Sequence, residues 1–117
     1  MRKGMVQKIT DHFYLNVGQL HDYSHDKSLV IQRAKRGVRA LGLEWGDIIS
    51  RTRRGHVSDT RHIVSLYLRD NGFRFHEIAK TLHRTNHTTS VYSVRRAGEL
   101  LEIDAPFRDI YKKFINA

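Results

Sequence analysis

The chain has 117 residues, contains no cysteine and carries a formal net charge of +9 at pH 7. This length fits one domain, and the lack of cysteine excludes disulfide frameworks, thiolate zinc sites, iron–sulfur clusters and cysteine nucleophiles. The charge is concentrated in residues 51–96, which contain ten basic and three acidic side chains, and nine of the ten basic residues are arginine. This window favours a polyanionic partner, with nucleic acid ahead of acidic membrane or protein surfaces.

Residues 1–27 are predicted to form an N-terminal extension that is helical in part, with one helical face formed by Met5, Ile9, His12 and Phe13. The start of the chain lacks the apolar region of a signal peptide. No apolar run approaches the ~18 residues of a membrane span, so no membrane partner is expected. We expect a cytoplasmic protein whose domain proper occupies residues 28–117.

The first helix of this domain is predicted after Ser28, because apolar residues recur at helical spacing from Val30 to Leu41. Gly42 suits the C-terminal end of this helix. The apolar residues of 43–49 are expected to add a short further turn.

A basic loop is predicted at residues 51–56, followed by a strongly apolar helix. Ser58 is a good N-cap for this helix, with Asp59 in its first turn, where a negative charge is favourable. The Asn71–Gly72 pair is expected to stop the helix.

Residues 75–98 carry the most informative local pattern. A short helix with Ile78 and Ala79 precedes a turn at residues 83–85, and Asn86 is predicted to cap a longer helix. The small Ala79 side chain permits a close approach of the two helices. This order of elements is typical of a helix-turn-helix.

The last helix is predicted to follow Asp104, which caps it. Pro106 falls in its first turn, where the missing N–H group costs nothing. Together these elements predict an all-α fold, a compact helical domain that contains a helix-turn-helix.

Short polar residues open the longer helix, and they are Thr85, Asn86, His87, Thr88 and Thr89. In a helix-turn-helix, the first turn of the second helix faces the major groove of DNA. Asparagine can bind adenine at two edges, threonine can present its methyl group to thymine, and histidine can donate to or accept from base edges. Free backbone N–H groups at such a helix start can also hold a phosphate. We therefore predict double-stranded DNA as the partner and residues 86–89 as base readers.

At this point the chain resembles a known family, the DNA-binding C-terminal domain (domain IV) of the bacterial replication initiator DnaA. The resemblance runs from about residue 30 to the end, and Asn-His-Thr-Thr at residues 86–89 is similar to the family's Asp-His-Thr-Thr signature. Residues 57–62 look like the start of the family's Ala-Arg-Gln helix, and the pair Arg95–Arg96 resembles its Arg-Lys pair. The chain contains no Walker A pattern, so the ATPase machinery of the initiator is not expected in it.

The resemblance implies an all-helical, Trp-repressor-like fold and a short duplex ligand, the DnaA box. It implies base contacts by His87, Thr88 and Thr89. It also implies phosphate contacts by Arg61, Arg95 and Arg96 and a minor-groove contact by an arginine of the basic loop. The residues predicted to contact phosphate or the minor groove are Arg51, Arg53, Arg54, Arg61, Arg84, Thr85, Arg95 and Arg96.

Four departures from the family pattern concern the DNA sequence that is recognised more than the fold. One is that His83 and Arg84 replace two turn glycines of the family. Asn86 replaces an aspartate of the family, and Thr85 stands where the family usually has arginine. Gly55 falls where the family has its minor-groove arginine, so Arg53 or Arg54 would have to take that role. The resemblance therefore implies the fold and the kind of ligand, and not the bases that are read.

The predicted function is sequence-specific duplex DNA binding in replication initiation or its regulation, by a nucleoid-associated protein with replication proteins as further partners. Two alternatives stay open at the level of the sequence. One is a transcription regulator of a mobile element. The other is a protein-interaction module that docks on an acidic partner.

No enzyme, metal site or cofactor is predicted. His83 and His87 are four residues apart, as are His21 and His25, but no carboxylate lies at ligand spacing from either pair. The chain has no Gly-rich phosphate loop and no nucleophile elbow.

Overall fold

Residues 27–117 are described by a computed structural model, and within this range the secondary structure consists of helices without strands. The helices are α1 (Lys27–Ala40), α2 (Trp45–Ile49), α3 (Gly55–Asp70), α4 (Phe75–Thr81), α5 (His87–Ile103) and α6 (Ala105–Ile115). The prediction of a compact all-α domain is confirmed. The predicted helical face of Met5, Ile9, His12 and Phe13 lies outside the described residues.

The helix α3 supplies the largest part of the core. Its buried apolar side chains are Val57, Ile63, Val64, Leu66 and Leu68. It packs against α5 most extensively and also contacts α1, α2 and α4. Each fully buried side chain of this size contributes roughly 1.5–3 kcal/mol from removal of its apolar surface from water. The other helices are therefore arranged around α3.

Three helices end in the same type of hydrogen-bonded turn, in which a residue just after the helix has a positive φ. The turns after α1 and α3 use Gly42 (φ +82°) and Gly72 (φ +95°), as the sequence predicts. The turn after α4 uses His83, with a φ of +59°. In each, the next residue donates its N–H to a carbonyl five residues earlier, as Arg84 does to Ala79 at 2.7 Å. This is the Schellman motif, and glycine adopts its positive φ without steric cost.

The helices α1 and α6 approach closely at Gly37. A Cβ atom at this position would lie 2.5 Å from Cδ1 of Phe114, which is well inside van der Waals contact. Phe114 is itself buried and also meets the ring of Tyr67 edge-on, with ring centroids 5.5 Å apart. The missing side chain at Gly37 therefore lets Phe114 of α6 pack closely on α1 while its ring also contacts Tyr67 of α3.

The predicted N-cap at Ser58 is wrong, because α3 begins about one turn earlier. Arg54 is the N-cap, and its carbonyl oxygen accepts the N–H of Ser58 at 2.9 Å. The extra turn buries Val57, which is 3% exposed. Burial of this apolar side chain outweighs the local preference of serine for a cap. Consequently the last two residues of the predicted 51–56 loop are helical.

The predicted caps of the two last helices are confirmed. The Asn86 side chain accepts a hydrogen bond from the N–H of Thr88 at 2.8 Å. The Asp104 side chain accepts one from the N–H of Phe107 at 3.2 Å. A tight turn connects α4 to α5, and the two helices pack against each other. Ile78 and Ala79 are the buried residues of α4. The arrangement of α4 and α5 is compatible with a helix-turn-helix.

Candidate nucleic-acid interface

The first turn of α5 is open to solvent. Residues 85–89 are all exposed, including the four predicted base readers. Asn86 uses its side-chain oxygen for the cap, which leaves its NH₂ group free to donate. The side chains of His87, Thr88 and Thr89 form no hydrogen bond with any of residues 27–117. Their donors and acceptors are therefore available to a ligand.

The basic loop between α2 and α3 holds three exposed arginines, Arg51, Arg53 and Arg54. None of them forms an ion pair within the described part of the chain. The backbone of the loop is shaped by short-range hydrogen bonds, among them the one from the Thr52 N–H to the Ser50 hydroxyl at 3.3 Å. The loop therefore presents uncompensated positive charge on an ordered backbone.

Arg61 holds this loop from below, and the structure gives it a different place from the predicted phosphate contact. The residue is 9% exposed. Its Nε donates to the Ile48 carbonyl oxygen at 2.7 Å, and its Nη1 donates to the Thr52 carbonyl oxygen at 2.6 Å. Its Nη2 donates to the carbonyl oxygens of Asp47 at 3.1 Å and Ser50 at 2.9 Å. Because all three nitrogens of the guanidinium are engaged inside the protein, we assign Arg61 to the support of the loop.

Arg84 reaches the same carbonyl groups from the turn between α4 and α5. Its Nη2 donates to the Ser50 carbonyl oxygen at 3.0 Å and lies 3.4 Å from that of Ile48. Burial lowers the pKa of Arg61, and the nearby charge of Arg84 lowers it further. Two arginines thus tie the basic loop to α3 and to the start of α5.

An open groove of about 720 Å³ lies between the basic loop, α3 and the start of α5. Arg51, Arg53 and Arg84 are on its basic side. Thr85 and Thr89 lie on the side of α5. The groove joins the basic loop to the predicted base-reading turn, although the two segments are more than 30 residues apart in sequence.

The two arginines of α5 that are predicted to bind phosphate, Arg95 and Arg96, lie in different surroundings. Arg95 is exposed, whereas Arg96 pairs with Glu99 at 3.2 Å with both side chains partly in water. Thr88, Tyr92 and Arg95 follow one another at intervals of four and three residues, so they share one face of α5. Arg95 therefore extends the surface that begins at the base-reading turn.

Tyr92 and His62 belong to this site although the sequence reasoning did not select them. Tyr92 is 57% exposed, lines the groove and meets the His62 ring edge-on at a centroid distance of 5.9 Å. The Nδ1 atom of His62 lies 3.1 Å from the hydroxyl oxygen of Ser93. Tyr92 could have been predicted from the sequence, because its four-residue spacing from Thr88 places both residues on the same face of α5. No local pattern marks His62, because its partners lie on another helix.

The electrostatic surroundings favour the neutral form of His62. Burial lowers the pKa of its imidazole. Asp59 raises this pKa, whereas Arg96 and Arg61 lower it. At neutral pH the side chain therefore contributes hydrogen bonds and ring contacts to the groove, and no additional charge.

Comparison of the chain with family models, with curated proteins and with solved structures finds no match. The relationship to DnaA domain IV thus stays a prediction from the motif residues. Within residues 27–117 no helix has the length and apolar character needed to cross a membrane. The same range contains no group of three or more histidine, aspartate or glutamate side chains arranged to hold a metal ion.

Proposed function

We propose that this domain binds duplex DNA sequence-specifically, with the first turn of α5 in the major groove. The observation that carries the proposal is the position of the exposed residues His87, Thr88 and Thr89 beside a groove with an arginine-rich side. Base readout needs side-chain donors or acceptors that are open to a ligand, and nearby phosphate contacts fix the register of the protein on the duplex. The open turn and the adjacent arginines meet both requirements.

Base readout in this proposal comes from four side chains. The NH₂ group of Asn86 donates to a base acceptor while its oxygen keeps the helix cap. His87 donates to or accepts from a base edge, and the two threonines contribute a hydroxyl or a methyl group. A bidentate side-chain–base pair contributes about 1–3 kcal/mol of discrimination against the wrong base, and we expect the single contacts described here to contribute at the lower end of this range.

Phosphate contacts come from the arginines and from Thr85. The loop arginines and Arg84 hold the backbone on one side of the base-reading turn, and Arg95 and Arg96 hold it on the other. In this arrangement Arg53 or Arg54 enters the adjacent minor groove. Arg61 contributes indirectly, because it holds the backbone from which these loop arginines project.

The biological role that follows from the resemblance to DnaA domain IV is replication initiation or its regulation. These 117 residues contain no ATPase motif. In the proposed role the domain supplies DNA binding alone, either together with a replication initiator or in competition with one for sites. Regulation of transcription on a mobile element uses the same contacts and is the alternative within the same class.

Selection of bound sites from a random duplex pool tests the proposal. We expect one short enriched element, and an element similar to a DnaA box would support the resemblance down to the readout residues. In a titration on the selected site, about six neutralised phosphates would give a slope of log K against log salt near −5. A pool without enrichment, or binding without salt dependence, would refute the proposal. Weak and fully salt-labile binding without preference would favour the protein-interaction module.

A further inference from the structure

The helix α1 carries a second concentration of positive charge, away from the groove. Among its 14 residues are five basic side chains and no acidic one. Lys27 pairs with Glu77, and the Lys35 ammonium lies 5.6 Å from the centroid of the Trp45 ring. The remaining three, Arg33, Arg36 and Arg39, are exposed. No carboxylate of residues 27–117 pairs with these three arginines.

The three arginines form one row. They recur every three residues, and each such step advances about 4.5 Å along the helix and turns about 300°. The row is therefore about 9 Å long and lies within a sector of about 120°. The opposite face of α1 carries the buried Val30, Ala34 and Val38. Core packing thus orients α1 so that the arginine row faces water.

The row lies on the other side of α3 from the groove. Arg33 and Arg36 border a small recess of about 180 Å³, which Tyr67 of α3 also lines. His62 of α3 lines the groove. Tyr67 follows His62 by five residues, which is about 140° around the helix. A duplex in the groove therefore leaves the arginine row free.

We propose that the arginine row of α1 binds the sugar–phosphate backbone of a second DNA duplex, so that one domain joins two duplexes. This proposal rests on the proposed function for the first duplex. Guanidinium groups bind phosphate oxygens in a bidentate manner. Each strand of a duplex presents one phosphate per about 3.4 Å of its axis, so a row of 9 Å faces two to three phosphates. The contact requires no base readout and is independent of sequence.

A capture experiment tests this second contact. One duplex with the selected site is fixed to beads, the protein is bound, and a labelled duplex of unrelated sequence is added. The variant Arg33→Gln/Arg36→Gln removes two charges of the row and keeps good helix formers in place. The matched control Lys112→Gln/Lys113→Gln removes two exposed charges from α6. Single-duplex affinity is measured for all three proteins.

We expect the wild type and the α6 control to capture the labelled duplex, and the α1 variant to capture about 10-fold less. The affinity of the α1 variant for the single selected site should change less than about twofold, because the groove is intact. Three neutralised phosphates give a slope near −3 for capture against log salt, so capture should fall about 20-fold between 50 and 150 mM.

Several outcomes overturn the proposal. One is that the wild type captures no labelled duplex. Another is that the α1 variant captures as much as the wild type, which is the result expected if a protein dimer joins the duplexes. A third is that both variants lose capture to the same extent. Binding of the row to anionic vesicles without capture of a duplex also overturns it, and would assign the row to a membrane surface. If the wild type binds DNA without sequence preference and the α1 variant alone loses capture, the proposed function fails and the second contact is supported.

Discussion

The Nε atom of Arg61 donates a hydrogen bond of 2.7 Å to the carbonyl oxygen of Ile48, thirteen residues earlier in the chain. This contact connects the core helix α3 to the end of α2. With the contacts of the same guanidinium to Thr52 and Ser50, it orders the backbone from which the loop arginines project. Arg61 therefore stabilises the fold at the base of the candidate interface.

Arg61→Lys is expected to destabilise the domain by about 3 kcal/mol, because one ammonium group cannot replace the branched donors and buried carbonyl groups lose their partners. Denaturant unfolding followed by circular dichroism measures this change. The control Arg53→Lys alters an exposed loop residue and should stay within about 0.5 kcal/mol of the wild type. Unchanged stability of Arg61→Lys, together with a salt slope of DNA binding that is smaller by about 1 in the charge-removing variant Arg61→Gln, would restore the phosphate role.

The positive φ of His83 predicts that glycine, which has no Cβ atom, stabilises the turn. His83→Gly should raise the free energy of unfolding by about 0.5 kcal/mol, because glycine adopts this φ without steric cost and the exposed histidine side chain makes no hydrogen bond within the described residues. Gly72→Ala in the equivalent turn after α3 should lower it by about 1 kcal/mol. Thermal unfolding of both variants measures the two changes in stability. Changes of the same sign in both variants would show that the two turns are not equivalent.

Asn86 is expected to combine two roles that two substitutions separate. Asn86→Ala should cost about 1 kcal/mol of stability through loss of the cap. Asn86→Asp should keep the cap and the stability, since a carboxylate is favourable at a helix start. It has no donor for a base acceptor, so its selected DNA site should differ at one base pair. An unchanged site for Asn86→Asp would contradict base reading by this amide.

Base readers and phosphate contacts should respond differently to DNA sequence. His87→Ala or Thr88→Ala should weaken binding to the selected site by roughly 1–3 kcal/mol and leave binding to random duplex nearly unchanged. Arg95→Ala should weaken both and reduce the salt slope by about 1. Fluorescence anisotropy on the two duplexes gives both values. Equal losses on both duplexes for His87→Ala would mean that this side chain does not read a base.

The buried imidazole of His62 should make the domain less stable in mild acid. Its pKa is lowered in the folded state by burial, with Asp59 opposing and with Arg96 and Arg61 adding to the effect. The unfolded chain then binds the proton more readily, so stability present above pH about 6.5 is lost as the pH falls towards the folded-state pKa. The contribution of His62 is measured as the difference in the free energy of unfolding between the wild type and His62→Gln, determined from pH 8 to 5.

That difference is needed because other groups titrate in the same range. Burial raises the pKa of Asp70 to about 7, which acts in the opposite direction. A difference between the wild type and His62→Gln that stays constant with pH would show that the pKa of His62 is not shifted by folding.

Most helix boundaries could be predicted from sequence, because they depend on neighbours in the chain. Gly42 and Gly72 end their helices through their own backbone freedom, and Asn86 and Asp104 cap theirs through hydrogen bonds to residues two or three positions away. The exception is the start of α3, where Val57 gains burial from packing with other elements. A local cap signal cannot weigh a contact whose partner is distant in sequence.

The candidate site divides in the same way. An all-helical fold for residues 27–117, an arginine-rich window and a polar turn at residues 86–89 could all be predicted from the sequence, since each depends on composition or on spacing along one helix. Tertiary packing determines which arginines are free. It places Arg61 in hydrogen bonds with carbonyl groups nine to fourteen residues away and leaves Arg51 and Arg53 open beside the groove. It also placed the α1 arginine row on the other side of α3. Charge can be counted in a sequence, but hydrogen-bond partners and the direction of a face follow from how the apolar sides of the helices pack.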